Sequence, residues 1–270
     1  MSALPPKQRV RDSFDRAASS YDAAAVVQRE VCARLLDRLA EAAAPARIAD
    51  TAAFDLSAAP RILDAGCGTG YGARLLRERW PRAQITAADF APAMLALARR
   101  HADRCLAADI EALPLPDGAF DLWWSSLSIQ WCDAAAVFAE AARVLRPGGR
   151  LAVSTLAPGT FGELRAAFAG VDRYRHTIAF SEPESVGTAL SAAGFRTVEL
   201  RRATIAVHYP DLKALLRAVK AIGANAVGDG ARSGMMGRAA WQAVQAAYES
   251  RRTAAGLPAT YDVLLCTAEK

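Results

Sequence analysis

The segment Leu63-Asp-Ala-Gly-Cys-Gly-Thr-Gly70 restricts this chain more than any other feature. A short apolar run, Arg61 to Ala65, leads straight into glycines at 66, 68 and 70. That pattern predicts a strand ending in a loop whose backbone turns sharply and presents no Cβ to an approaching ligand. In open α/β sheets ligands bind at the carboxyl ends of strands, where such a loop belongs. The spacing disfavours two ligand classes. A dinucleotide fingerprint needs G-x-G-x-x-G, but position 71 is Tyr, and the Gly-Lys-Ser/Thr of a phosphate-cradling loop is absent from the chain.

From Arg61 onward short apolar runs alternate with helical periodicity, which predicts βαβ units and a parallel sheet. Strands are expected at 61–65, 84–88, 104–108, 120–126, 150–155, 195–200 and 261–266. Helices are expected at 71–79, from Pro92 to Arg100, and from a cap at Asp133 to the stop Pro147-Gly148-Gly149. Ser181 and Glu184 form a candidate capping box for a helix ending near Gly194. Further helices are expected around Leu212 to Val219 and from Arg238 to Arg252. The chain is expected to form one domain: amino-terminal lid helices at 9–45, a ligand-binding core at 60–201, a helical lid insertion at 202–256 and a closing strand at 257–268.

Two acids extend the glycine signal. Asp89 closes the second strand about 20 residues beyond the loop, where a carboxylate can accept both hydroxyls of a ribose. Phe90 beside it can pack on a purine, and Asp109 closes the third strand, placed to accept an exocyclic amine of adenine. A single Asp at a strand end often serves only a turn or cap. Three successive strand ends carrying glycines, Asp89 and Asp109 argue for a bound nucleoside.

Composition removes several other classes. Apolar residues make up 53% of the chain, enough for a sizeable core. No apolar run approaches the ~18 residues of a membrane helix, and the amino end lacks a secretory pattern. The net charge of +5 comes from cations interspersed with acids, as on a solvated surface rather than a nucleic-acid face. The five cysteines include no CxxC pair and the three histidines are isolated, so no metal site is expected. A cytoplasmic monomer is expected.

The stretch 60–155 resembles the class I S-adenosylmethionine-dependent methyltransferases. The resemblance rests on the D-x-G-C-G-T-G loop, Asp89, Asp109, Phe120-Asp-Leu122 and Val144-Leu-Arg-Pro-Gly-Gly149. It implies an α/β fold: a Rossmann-like seven-stranded methyltransferase sheet with its last strand antiparallel, plus a helical lid. It implies S-adenosyl-L-methionine as cofactor, with Asp64, Gly66, Gly68, Gly70, Asp89, Phe90, Asp109 and Ile110 binding it and Asp64 contacting the methionine amine indirectly.

The flanks resemble a narrower family, the malonyl-acyl-carrier-protein O-methyltransferases of biotin synthesis. The matching segments are Phe14-Asp-Arg-Ala-Ala-x-x-Tyr-Asp22 with Gln28, Ile129-Gln-Trp131, and Ser154-Thr-Leu-x-x-x-Thr-Phe-x-Glu-Leu-Arg165. Val171-Asp172, Ile222-Gly-Ala-Asn225, Tyr248 with Arg251, and Gly256-Leu-Pro-x-Thr-Tyr261 extend the match over nearly the whole chain. Ser126 departs from it, since many relatives carry Asn there.

This resemblance implies methylation of the free carboxylate of a malonyl thioester, the start of pimeloyl synthesis. A carboxylate of pKa ~4 is ionised at neutral pH and needs no general base, so positioning and desolvation are expected rather than a nucleophile. Tyr21 and Gln28 are candidates to close over the cofactor. Gln130 and Trp131 are expected near the sulfonium, and Arg165 is the candidate cation for the substrate. An acyl-carrier protein or coenzyme A would carry the malonyl group, with Arg217, Arg232 and Arg238 as candidate contacts to the carrier. Alternatives are another small-molecule carboxylate or quinone methyltransferase, or a methyltransferase-like assembly factor. A nucleic-acid methyltransferase rests only on the basic charge.

Overall fold

The computed structural model describes residues 4–43, 59–172, 174, 176–221 and 236–270; Ile222-Gly-Ala-Asn225 and Arg232 lie outside the described residues. Strands β1 (Arg61–Ala65), β2 (Gln84–Asp89), β3 (Arg104–Ala107), β4 (Phe120–Ser126), β5 (Leu145–Leu156), β6 (Arg196–Tyr209) and β7 (Leu257–Glu269) form one sheet in the order β3-β2-β1-β4-β5-β7-β6. The first five pair in parallel, and β7 runs antiparallel to both β5 and β6. The expected seven-stranded sheet with an antiparallel last strand is therefore observed. Its order reverses between β1 and β4, so the loops leaving those strands diverge and open a crevice.

Helices cover both faces. Trp123 and Trp124 are neighbours on β4, point to opposite sides, and are both fully buried in separate core clusters. A central parallel strand covered on both faces has this continuous apolar character. One layer holds α2 (Val26–Ala43), α3 (Tyr71–Arg79), α6 (Gly162–Ala169), α8 (Leu212–Ala221) and α9 (Arg238–Glu249), and the other α5 (Ala134–Val144) and α7 (Pro183–Ala192). Expected as part of the lid, α2 is a core helix along much of its length: Val27, Val31, Leu35 and Leu39 share one face and are buried. No helix among the described residues is long and apolar enough to cross a membrane.

Several elements differ from their expected bounds. Strand β6 runs nine residues past Leu200, into the stretch read as a helical insertion. Its inward residues change phase: Val198 and Leu200 pack toward α7, whereas Ala203, Ile205, Val207 and Tyr209 join the opposite core. Arg201 and Arg202 sit at the change, so a single period-2 reading breaks there while the ladder continues to Tyr209↔Leu257. Strand β5 starts at Leu145 rather than Arg150, because Pro147-Gly148-Gly149 forms a bulge between two paired stretches. The proposed Ser181 cap is not used. Helix α7 begins at Pro183, whose fixed φ suits the first helical position, and no side chain caps it. Helix α6, which had no sequence expectation, follows Phe161.

Helix α1 (Lys7–Ala24) lies over the carboxyl ends of the strands and is tied there at three points. The Lys7 ammonium pairs with Asp109 and, at 2.7 Å, with Glu111. Asp15 accepts the Ala93 N–H at the start of α4 (Pro92–Ala98) at 2.9 Å. Asp22 accepts the Thr69 hydroxyl at 2.6 Å.

Candidate active site

The crevice begins with the glycine loop. The Gly66 and Cys67 amides donate to the Ala88 carbonyl at 2.8 and 3.0 Å, anchoring the loop to the end of β2. Gly66 adopts φ +71°, and a Cβ there would stand 1.9 Å from Ser128 Oγ and 2.5 Å from Ser128 Cβ. The loops after β1 and β4 meet so closely that only glycine fits. Gly68 has open space where its Cβ would be, whereas a Cβ on Gly70 would meet the Ala98 backbone at 2.8 Å. Gly66 and Gly68 line the crevice; Gly70 instead lets α3 pack against the end of α4.

A cavity of about 660 Å³, open at its mouth, brings together Gly66, Gly68, Asp89, Phe90, Asp109, Ile110, Tyr21 and Trp131, eight of the expected site residues. Asp89 accepts the Gly68 N–H at 2.9 Å and the Ala91 N–H at 2.8 Å, one on each oxygen. Each oxygen retains a lone pair for a further donor. Burial pushes the Asp89 carboxyl up to about 6, opposed by the N–H groups of Ala91 and Gly68. Lys7 also lines this cavity through its pairing with Asp109, a contact spanning 102 residues that no local pattern signals.

A side recess of about 480 Å³ contains Asp64, Gln28, Gly72 and Trp124, and shares Tyr21, Gly66 and Gly68 with the first cavity. Asp64 Oδ2 is buried and has no hydrogen-bond partner among the described residues, and the same holds for Trp124 Nε1. A Cβ on Gly72 would lie 2.8 Å from Trp124 Nε1 and 3.1 Å from Asp64 Oδ2, so glycine keeps the space beside them open. Burial raises the Asp64 carboxyl to about 7, against the lowering effect of the Ala73 N–H. A buried acceptor without a donor, beside an open recess, matches a ligand ammonium.

A second cavity of about 930 Å³ joins the first at Phe14, Tyr21, Leu127 and Trp131. Its walls are mainly apolar, among them Leu156, Phe161, Ile178, Phe180 and Leu216. Trp131 is buried and meets Phe14 edge-on at 5.8 Å. Burial raises the Tyr21 phenol well above its ordinary value, so it stands at the junction as a neutral hydroxyl. Leu127 and Phe161, both with positive φ, also line this cavity. Such strain in bulky residues clusters at functional sites.

Two expected residues behave differently. Gln130 lines the second cavity, but its amide donates to the Leu127 carbonyl at 2.6 Å and accepts from Thr155 Oγ1 at 3.4 Å. It braces the strained turn at Leu127. Arg165 lines neither cavity; its guanidinium donates to the Pro158 and Thr160 carbonyls, holding the loop before α6. It clamps that loop, because those backbone acceptors lie within reach, and it borders a surface depression rather than either cavity. No group of His, Cys, Asp or Glu among the described residues could hold a metal ion.

Residues 63–153 match the Methyltransferase domain family. A malonyl-[acyl-carrier protein] O-methyltransferase of Dechloromonas aromatica is 48% identical over 268 residues, covering 98% of this chain and 95% of that protein. The protein of the same name in Laribacter hongkongensis is 46% identical, over 96% and 87%. The chain belongs to the malonyl-acyl-carrier-protein O-methyltransferase family. Among solved structures, Haemonchus contortus phosphoethanolamine N-methyltransferase 2 with S-adenosyl-L-methionine shares the fold at TM-score 0.54 and 18% identity, over 95% of this chain and 57% of that one.

That structure holds S-adenosyl-L-methionine, the cofactor the sequence implies for this crevice. The donor set fits it: a buried diol acceptor at Asp89, an open backbone at Gly66 and Gly68, and an unpartnered carboxylate oxygen at Asp64.

Proposed function

We propose that this chain methylates the free carboxylate of a malonyl thioester on acyl-carrier protein, the step that begins pimeloyl synthesis for biotin. The observation that carries this reading is the joining, at Tyr21 and Trp131, of the cavity that holds Asp89, Asp109 and the glycine loop to a second one with mainly apolar walls. When bound, S-adenosylmethionine supplies an electrophilic methyl group on a sulfonium. Asp89 accepts the ribose hydroxyls, Asp109, Ile110 and Phe90 border the adenine, and Asp64 with Gln28 faces the methionine ammonium. Tyr21 and Trp131 border the passage for the methyl group. No residue need take a proton, since the acceptor carboxylate of pKa ~4 is already ionised. The apolar walls strip water from that anion, which favours a transition state in which opposite charges neutralise. The amino-terminal helix α1 acts as the lid.

The reading is tested with labelled S-adenosylmethionine and three acceptors. Malonyl-acyl-carrier protein is expected to yield the labelled methyl ester and acetyl-acyl-carrier protein none. Labelling of a quinone instead of malonyl thioester would overturn the assignment.

The buried carboxyls set a pH dependence. Asp64 near 7 and Asp89 near 6 are both raised above the unfolded 3.8, so each binds its proton more tightly in the empty folded protein. A cationic ligand needs the carboxylate form. S-adenosylhomocysteine, which keeps the ammonium, is expected to bind about 30-fold more tightly at pH 8 than at pH 5.5 through Asp64 alone. Asp64→Asn is expected to flatten the limb near pH 7; an unchanged calorimetric pH profile in that variant would remove Asp64 from the ammonium site. The sign for stability is opposite. A raised acid stabilises the empty protein at low pH and loses that contribution as pH rises through its folded value, so wild type should gain melting temperature relative to Asp64→Asn as pH falls from 8 to 5.5.

A further inference from the structure

The second cavity has no lysine or arginine among its described lining residues. Its polar side chains are Tyr21, Gln28, Gln130, His176, Thr177 and Tyr261. The Gln130 amide is engaged at both ends, and Tyr261 is hydrogen-bonded to Tyr209. Tyr21 and Gln28 also border the cofactor side. His176 differs from all of these. With Thr177 and Ile178 it borders both this cavity and a surface depression outside it, so the strip 176–178 forms the threshold between them.

The imidazole is fixed on two sides. Its ring stacks on Phe168 with centroids 3.5 Å apart and planes 19° apart. Nε2 lies 2.9 Å from Asp172 Oδ1, an oxygen that also accepts the Tyr174 N–H at 3.0 Å. A carboxylate only accepts, so Nε2 carries the proton in the neutral ring and Nδ1 is left as an acceptor. Nδ1 has no partner among the described residues. A rigid, oriented acceptor at the entrance of a mainly apolar cavity selects a ligand that brings an N–H donor through that entrance.

We propose that His176 is a specificity residue that accepts a hydrogen bond from an amide N–H of the pantetheine arm carrying the malonyl group. The arm, common to acyl-carrier protein and coenzyme A, enters across the strip 176–178, with its thioester inside and its amides at the threshold. This assignment rests on the malonyl-thioester reading. Asp172 is a positioning residue that sets the ring's tautomer.

The test compares malonyl-pantetheine with the malonyl thioester of ethanethiol, which has no amide. Asn can present an acceptor near the Nδ1 position, whereas Gln can reach Asp172 as Nε2 does but presents nothing at Nδ1. His176→Gln is expected to raise KM for malonyl-pantetheine about tenfold at unchanged kcat, leaving the ethanethiol thioester and S-adenosylhomocysteine affinity unaffected. His176→Asn is expected to retain most of the preference for the amide-bearing arm. Malonyl-acyl-carrier protein and malonyl-coenzyme A should lose equally in His176→Gln, since both carry the arm; a loss confined to one overturns the proposal. So does an undiminished preference for malonyl-pantetheine in His176→Gln, or an equal loss in both variants with weakened S-adenosylhomocysteine binding. If wild type methylates no malonyl thioester at all, it is the broader functional reading that fails.

Discussion

Replacing Asp89 with alanine is expected to weaken S-adenosylhomocysteine binding by at least 100-fold. The side chain is buried at the end of β2 and accepts two backbone N–H groups, from Gly68 and Ala91. In the proposed complex it also accepts the two ribose hydroxyls. Hydrogen bonds to a charged acceptor contribute about 1.5–3 kcal/mol each, so two lost ribose contacts amount to about 3–6 kcal/mol, or a factor of 10² to 10⁴ in affinity. The Gly68 amide also loses its acceptor, which loosens the loop the nucleoside rests on. Asp89→Asn keeps one acceptor oxygen and is expected to fall between wild type and alanine. Calorimetry decides it: an Asp89→Ala affinity within tenfold of wild type would exclude the ribose role. A melting curve without ligand separates loop damage from the lost contact.

Gly66→Ala is expected to cause the largest loss of stability among single-methyl additions to the loop. An alanine at φ +71° costs roughly 1–2 kcal/mol from the left-handed backbone. Its methyl would overlap both Oγ and Cβ of Ser128, so rotating the hydroxyl cannot relieve the clash. Overpacking of this kind costs about 1–3 kcal/mol. The sum, about 2–5 kcal/mol, corresponds to a fall in Tm of about 4–9 °C. Adding Ser128→Gly should recover the packing part and leave the backbone part. A Tm for Gly66→Ala within 2 °C of wild type would show that the two loops are not wedged together as described.

The elements that could be located from the sequence owe their conformation to neighbours along the chain. Strands β1 and β4 are apolar because both of their faces are covered, and β1 is cut off by glycine. Helix α5 begins where Asp133 accepts the Ala135 and Ala136 amides. The polar cradle was legible for the same reason: glycines and acids that follow strands directly inherit their place from the sheet. The second half of strand β6 was not, because its apolar face changes sides at Arg201 and Arg202, and the core on each side decides which residues turn inward. Arg165 has the composition of a substrate cation, yet two nearby carbonyls take its guanidinium.

By itself, then, the order of residues determined a parallel sheet, a loop that a ligand can approach, and two carboxylates at neighbouring strand ends. These depend on period, chain reversal and adjacency, all of which are local. Only the folded chain decided that Lys7 closes on Asp109, that Asp64 is left with an unmatched oxygen, and that His176 stands at the entrance of the second cavity. Each of these joins segments far apart in sequence or depends on what is absent around a buried atom, and neither property is written in any short stretch of residues.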